Sequence, residues 1–256
     1  MTARMDQHCR IVVFADLDDT LFQTRRKLRG DEGVLTPATV DTRGEPHSFQ
    51  TPAQAALLDW LSQPGIAVIA VTGRDLAAMS RVRLPFSSWQ VLDHGATMLE
   101  PGGAVHQPWA SKVGAALPEL QGELRMHHAS GLALAGTLGC TVRLHTAHGQ
   151  PMMLVAKHPG ADANALAAMQ HHWAAAASPA FSVIANANNV SVLPREPGKA
   201  GAVRYLREKI FPDALLSFGL GDSVSDLGFL QACDFALTPS RGQLLNAAAA
   251  AGLVQR

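Results

Sequence analysis

Ile11-Val-Val-Phe-Ala15 is five apolar residues, three of them β-branched, that run straight into the acidic cluster Asp16-Leu-Asp-Asp-Thr20. An apolar run this short and unbroken reads as a strand covered on both faces, as in a parallel sheet. Three further segments look the same. Ile66–Val71 follows the helical pattern Pro52–Leu61, Leu215–Gly219 follows Lys199–Ile210, and Phe235–Leu237 follows a helix expected over Asp226–Ala232. Strands alternating with helices require crossover connections, which predicts a doubly wound, Rossmann-like α/β fold with a parallel sheet. The first three strands end in polar clusters, at Asp16–Thr20, Thr72–Arg74 and Gly221–Ser223. Ligands of open parallel sheets sit beyond the carboxyl ends of the strands, so the clusters are expected to meet in one crevice.

The middle of the chain has another character. Lys112–His128 is patterned as a helix, Cys140–His148 and Met152–His158 as strands around a Gly149-Gln150 turn, and Ala161–Ala177 as an alanine-rich helix. Phe181–Ala185 and Val190–Leu193 flank Asn186-Ala-Asn-Asn189, a hairpin signal. Helix, two strands, helix, two strands is an α+β order, and it predicts an inserted unit of roughly 80 residues with its own antiparallel sheet. The expected division is a core of residues 1–109 and 191–256 around an inserted domain of 110–190. A length of 256 residues accommodates both.

Composition removes several classes. The chain has 21 basic and 21 acidic residues and is 47% hydrophobic, which argues against a nucleic-acid clamp and against overall disorder. Cys9, Cys140 and Cys233 form no metal-ligand spacing and read as small core residues in a reducing compartment. The N-terminus is polar up to Arg10, unlike a signal peptide, and no apolar stretch approaches the ~18 residues of a membrane span. A soluble, cytoplasmic protein with no nucleic-acid or membrane partner is the expectation. The basic cluster Arg25-Arg-Lys-Leu-Arg29 reads as a solvated loop in preference to a phosphate-facing patch. His127-His128 and His171-His172 lack the helical spacing that aligns two imidazoles, and read as surface histidines.

The chemistry concentrates at the strand ends. Asp16 and Asp18 lie two apart where the first strand stops, and two such charges are costly without a cation beside them. With Asp222 they form a hard-oxygen set suited to Mg²⁺, which uses one or two carboxylates together with waters and phosphate oxygens. Thr72 and Lys199 offer a hydroxyl and a cation to the remaining phosphate oxygens, an arrangement that stabilises the charge of a phosphoryl-transfer transition state.

These segments resemble a known family. Phe14-Ala-Asp16-Leu-Asp18-Asp-Thr20-Leu-Phe22 is similar to the first motif of the haloacid dehalogenase superfamily, Val71-Thr72-Gly73-Arg74 to the second, Pro197-Gly-Lys199-Ala-Gly201 to the third, and Gly219-Leu-Gly-Asp222-Ser-Val-Ser-Asp226-Leu227 to the fourth. An insertion between the second and third motifs is the family's C2 cap. Its helix-hairpin repeat resembles the C2B subtype of sucrose-phosphate, trehalose-phosphate and Cof-type sugar phosphatases, as does the return through Val190–Pro194 to Gly198-Lys199. The resemblance implies that Asp16 is a nucleophile forming an aspartyl-phosphate and that Asp18 is the general acid and base. It further implies that Asp16, the backbone carbonyl of Asp18 and Asp222 bind Mg²⁺, and that Thr72, the Gly73 amide and Lys199 hold the phosphoryl group. Asp226 is implied to orient a metal-bound water or Lys199. The implied activity is hydrolysis of a small phosphorylated metabolite, a sugar phosphate, with the cap closing over the core and selecting the substrate. Arg143, His145 and Lys157 on the cap hairpin are the candidate substrate contacts.

Three features depart from the family pattern. Asp19 stands where a glycine is usual, the segment Arg25–Thr51 is long and contains a hairpin pattern around Arg43-Gly44, and His94-Gly95-Ala96 replaces the usual Asn-Gly-Ala. A phosphomannomutase-like mutase would share every core motif. A phospho-accepting receiver module and a catalytically silent binding protein on the same fold are the readings of other classes.

Overall fold

The structure is a computed structural model that describes residues 9–186 and 188–253. The polar N-terminus up to His8 and Ala187 of the predicted hairpin turn lie outside the described residues. The chain divides into two units, Met1–His106 with Lys199–Arg256, and Gln107–Gly198.

In the first unit, strand β1 (Ile11–Ala15) lies inside a six-stranded sheet, with Val12 to Ala15 wholly buried. The other strands are β5 (Ile66–Val71), β6 (Gln90–Leu92), β7 (Thr97–Leu99), β12 (Leu216–Leu220) and β13 (Phe235–Leu237). Their order is β13-β12-β1-β5-β6-β7, parallel except for β7, which runs antiparallel to β6. Coverage on both faces explains why β1 has no polar alternation. Register places Ala15 opposite both Ala70 and Leu220. The residues that follow, Asp16, Thr72 and Asp222, therefore leave the sheet at one edge.

Helix α1 (Pro52–Leu61) starts where Thr51 accepts from the Gln54 amide and the Gln54 side chain accepts from the Thr51 amide, with proline in the first turn. Short helices α2 (Leu76–Met79) and α6 (Leu227–Leu230) follow β5 and β12. Helix α5 (Lys199–Tyr205) continues into a wider π-type turn over Leu206–Ile210, so the predicted helix there changes pitch partway. Helix α7 (Gln243–Ala250) follows β13. A separate three-stranded sheet, in the order β2-β4-β3, is built from β2 (Gln23–Thr24), β3 (Thr36–Val40) and β4 (Pro46–Gln50), and it contains the predicted hairpin with Gly44 at φ +89° in its turn.

Two expectations are corrected here. Phe235–Leu237, read as a buried strand, is an edge strand whose Phe235 is 59% exposed; a run of three residues cannot distinguish the two. The helix expected over Asp226–Ala232 is a 3₁₀ turn at Val224–Asp226 followed by α6.

The second unit has the predicted α+β order. Helix α3 (Gln107–Ala135) is followed by β8 (Thr141–Ala147), β9 (Gln150–Lys157), helix α4 (Ala163–Ala176), β10 (Phe181–Asn186) and β11 (Asn189–Pro194). The four strands form an antiparallel sheet in the order β10-β11-β9-β8. The division expected at 110 and 190 lies within these elements: α3 begins at Gln107, and β11 runs to Pro194. The β8–β9 turn is centred on His148 and Gly149, both left-handed at φ +50° and +74°, as a two-residue hairpin requires. Leu124, Leu154, Leu166, Met169, Trp173, Phe181 and Val192 form the core.

His127 belongs to that core and is fully buried, contrary to its reading as a surface histidine. It faces Phe181 with ring centroids 6.1 Å apart, and its Nε2 lies 3.3 Å from Glu123. The buried Trp173 donates from Nε1 to the His127 carbonyl at 2.9 Å. Gly131, one turn further along α3, leaves the space for that indole: a Cβ there would lie 2.5 Å from Trp173 Cζ2. Cys140 is buried as expected, whereas Cys9 and Cys233 are only partly so. Gly131→Ala gains about 1 kcal/mol of helix propensity but overpacks the indole at a cost of about 1–3 kcal/mol. The expected result is a net loss of stability in denaturant unfolding, and a stabilised variant would refute this packing.

Candidate active site

Lys199, the first residue of α5, is buried with its ammonium between two carboxylates. Nζ donates to Asp16 Oδ1 at 2.7 Å and to Asp226 Oδ1 at 2.8 Å. The helix is tethered at its other end, where the Tyr205 hydroxyl lies 2.9 Å from His106 Nε2 and His106 Nδ1 lies 2.8 Å from Glu100. Burial alone would lower the Lys199 pKa; Asp16 and Asp226 outweigh it and hold the ammonium above the ordinary lysine range. Burial also pushes Asp16 well above the usual carboxylate range. Lys199 pulls it back, while the charges of Asp226 and Asp18 push it further up. Thr20 donates to the other oxygen of Asp16 at 3.4 Å.

Asp226 is fully buried and accepts from the Ser223 amide at 3.1 Å and the Ser223 hydroxyl at 2.9 Å, which fixes its carboxylate behind Lys199. Gly221 makes this possible, since a Cβ there would meet Asp226 Cβ at 2.6 Å. Asp222 is 8% exposed. Burial, followed by the charges of Asp226 and Asp19, raises its pKa to about 6. Asp16, Asp222 and Asp226 each offer an oxygen within 4.8 Å of the others. Three buried carboxylates against one ammonium leave this pocket short of positive charge, and oxygen donors at this spacing suit a hard divalent cation. The residues present therefore fit a metal such as Mg²⁺.

The two acids of the first strand end have separate partners. Whereas Asp16 faces Lys199, the half-exposed Asp18 carboxylate is gripped by Arg74, with Nε to Oδ2 at 2.8 Å and Nη2 to Oδ1 at 2.7 Å. Arg74 also lies over the Phe22 ring, 5.1 Å from its centroid. The sequence motif contains Arg74, but nothing in its spacing shows that it forks onto Asp18.

Thr72 is buried, and its amide donates to the Val91 carbonyl at 2.9 Å. The loop after β6 is laced to this segment: His94 N donates to the Thr72 carbonyl at 3.0 Å and Asp93 N to that of Arg74 at 2.9 Å. Asp93 and His94 are both left-handed, at φ +50° and +54°, a conformation that crowds Cβ against the backbone carbonyl and is uncommon outside glycine. The His94 imidazole occupies the space beside Gly73, where a Cβ would lie 2.3 Å from Nε2. Gly73 is not itself left-handed, so its lack of a side chain is a matter of room.

Arg143, His145 and Lys157 lie in the other unit. All three are exposed, and the pairing of Arg143 with Val155, His145 with Met153 and Thr141 with Lys157 puts them on one face of the β8–β9 hairpin. The buried Leu154 and Ala156 occupy the opposite face. Gly73→Ala is expected to destabilise by about 1–3 kcal/mol, and adding His94→Ala should recover most of that loss. Simple addition of the two losses in denaturant unfolding would show that the imidazole is not what excludes the methyl group.

No protein-family model matches the chain, and no curated protein matches it. Solved structures do resemble it. The sucrose-phosphatase of Synechocystis sp. PCC6803, determined with sucrose and phosphate, has a TM-score of 0.58 at 18% identity, over 94% of this chain and 87% of that one. The C-terminal domain of the C. albicans trehalose-6-phosphate phosphatase has a TM-score of 0.58 at 17% identity, over 88% and 73%. A haloacid dehalogenase-like hydrolase from B. subtilis has 0.50 at 14%, over 89% and 88%. What the chain shares with these proteins, at such identities, is the fold: a Rossmann-like α/β core with an inserted α+β unit.

Proposed function

We propose that the chain is a Mg²⁺-dependent phosphomonoester hydrolase that acts on a small phosphorylated metabolite, a sugar phosphate, through an aspartyl-phosphate on Asp16. The observation that carries this reading is the buried Asp16 at the end of β1, hydrogen-bonded to Lys199 beside Asp222 and Asp226. The sugar-phosphate assignment draws on the fold shared with a sucrose-phosphatase and a trehalose-6-phosphate phosphatase.

In the first displacement an Asp16 oxygen attacks phosphorus and the bond to the sugar oxygen breaks. Asp18 gives its proton to that leaving oxygen. In the second, Asp18 takes a proton from water, the water oxygen attacks phosphorus, and the bond to Asp16 breaks to release phosphate. Thr72, the Gly73 amide and Lys199 hold the phosphoryl oxygens. Arg74 engages both oxygens of Asp18, so proton transfer requires one of them to turn away from the guanidinium. A Mg²⁺ held by Asp16, Asp222 and the backbone carbonyl of Asp18 would offset the negative charge of the phosphoryl group. Asp226 keeps Lys199 aimed at Asp16. In this reading the inserted unit serves substrate selection, with Arg143, His145 and Lys157 as its substrate-facing side chains.

Phosphate release across a panel of phosphorylated sugars, sugar acids and nucleotides, with and without Mg²⁺, tests the assignment. Turnover that needs Mg²⁺ and falls by about 10³-fold or more in Asp16→Asn is expected, since positioning and electrostatics carry phosphoryl transfer. Full activity in that variant would exclude the mechanism. Migration of phosphate between sugar positions without net release would identify a mutase, and stable labelling of Asp16 without turnover a phospho-accepting module.

The raised Asp222 pKa sets a pH dependence. Its folded value of about 6 lies above the ordinary 3.8, so the cation-free protein gains stability as pH falls through 6 toward 4 and loses it as pH rises through 6. A divalent cation must displace that proton and therefore binds more weakly below pH 6. Thermal unfolding is expected to show a large stabilisation by Mg²⁺ at pH 7.5 and a small one at pH 5. Equal stabilisation at both would remove Asp222 from the cation site.

A further inference from the structure

The run Arg25–Arg29 is solvated, as read from the sequence, but it is held in a defined turn. Arg25–Lys27 forms one 3₁₀ turn after β2, and the Arg25 guanidinium lies over the Phe49 ring, 4.2 Å from its centroid. The Lys27 ammonium is paired with the Asp19 carboxylate. Asp19 follows directly on Asp18 and holds a left-handed backbone at φ +64°, with its amide donating to the Phe22 carbonyl at 2.7 Å. A glycine would adopt that conformation without strain; an aspartate adopts it at a cost. The ion pair does not offset this cost as stability, because its side chains are 41% and 29% exposed and pairs so open to water contribute little. What the pair does achieve is placement: it brings the ammonium of Lys27 to the loop that carries Asp16 and Asp18. Asp19 stands directly after Asp18 where the chain leaves β1, so the pair lies on the same strand-end loop as Asp16 and Asp18. Arg26, also exposed, adjoins it.

We propose that Lys27, held in place by Asp19, binds a second anionic group on the substrate, so that the preferred substrates are phosphorylated metabolites bearing a carboxylate or a second phosphate. This inference rests on the phosphomonoesterase reading above and narrows its substrate class. The ammonium has three donors and gives one direction to Asp19; the others are available to oxygens of a bound anion. Because the carboxylate cluster takes the first phosphoryl group, a neutral sugar phosphate leaves Lys27 unused.

The test compares a hexose 6-phosphate with the corresponding 6-phosphorylated sugar acid and with a hexose 1,6-bisphosphate, in wild type, Lys27→Met, Lys27→Arg and Asp19→Gly. Wild type is expected to have the higher kcat/KM on one or both doubly anionic compounds. Lys27→Met should lower that preference by about ten- to hundredfold, the range of a charge-assisted hydrogen bond, chiefly through KM. Lys27→Arg should restore part of it. Asp19→Gly keeps the backbone conformation but releases the lysine, and should lower the preference as well. The compound whose KM responds identifies carboxylate or phosphate as the second group. Arg43→Ala, whose guanidinium pairs with Asp41 in the β3–β4 turn, should change neither arm. Equal wild-type efficiency on all three compounds, or an equal loss on all three in Lys27→Met, overturns the inference and leaves the phosphatase reading standing. Absence of turnover on every phosphomonoester in wild type overturns both.

Discussion

The buried contact of Lys199 with Asp16 and Asp226 is the constraint around which the first unit is arranged. An ammonium and two carboxylates have been withdrawn from water, and each would cost several kcal/mol if left alone. The arrangement is tolerable because the three groups satisfy one another at 2.7 and 2.8 Å while the amide and hydroxyl of Ser223 complete Asp226. Asp16 and Lys199 stand 183 residues apart along the chain, and Asp226 lies 27 residues beyond Lys199. Only the parallel register that sets β1 beside β12, together with a helix that starts at Lys199, brings them together. The loop-closure cost of so long a separation grows only with its logarithm. The chain can therefore carry a second folded unit inside that loop.

Close approach is the second requirement, and glycines meet it. Gly221 admits Asp226, Gly242 admits Asp222 at 3.0 Å from where a Cβ would be, and Gly73 admits the His94 ring. None of the three is left-handed. Each is a place where two chain segments could not come together if one carried a methyl group, so the site is compact because side chains have been omitted at the strand ends.

This explains what could be read from the sequence. β1, β5 and β12 were visible because burial on both faces writes itself as unbroken apolar runs, and Asp16, Thr72, Lys199 and Asp222 because they stand at the ends of such runs or open a helix. β6 and β7 are three residues each, too short for any periodicity to register. α3 extends beyond Lys112–His128 at both ends, to Gln107 and Ala135, where Pro108 and Gly131 interrupt the helical pattern. The burial of His127 depends on α4 and β10 packing over it, a tertiary fact. Arg74, His94 and Lys27 escaped for a related reason. Their roles depend on pairs formed across the fold and on left-handed backbone at Asp19, Asp93 and His94, which only glycine would have announced in the sequence.

The pairing of charges also accounts for an otherwise uninformative composition. With 21 basic and 21 acidic residues the chain has no net charge to draw an anion toward it. In the proposed reading the attraction has to be local, and the charges at the site are paired residue by residue. Asp16 is held by Lys199, Asp18 by Arg74 and Asp19 by Lys27, so each acid of the first strand end has its own cation. Asp222 forms no ion pair among the described residues, and burial, followed by the charges of Asp226 and Asp19, raises its pKa. A divalent cation entering the cluster would meet one carboxylate not already claimed by a side chain, at the edge where Thr72 and Gly73 also end their strand. In the proposed reading, Asp222 is thus the carboxylate whose charge a bound metal would balance.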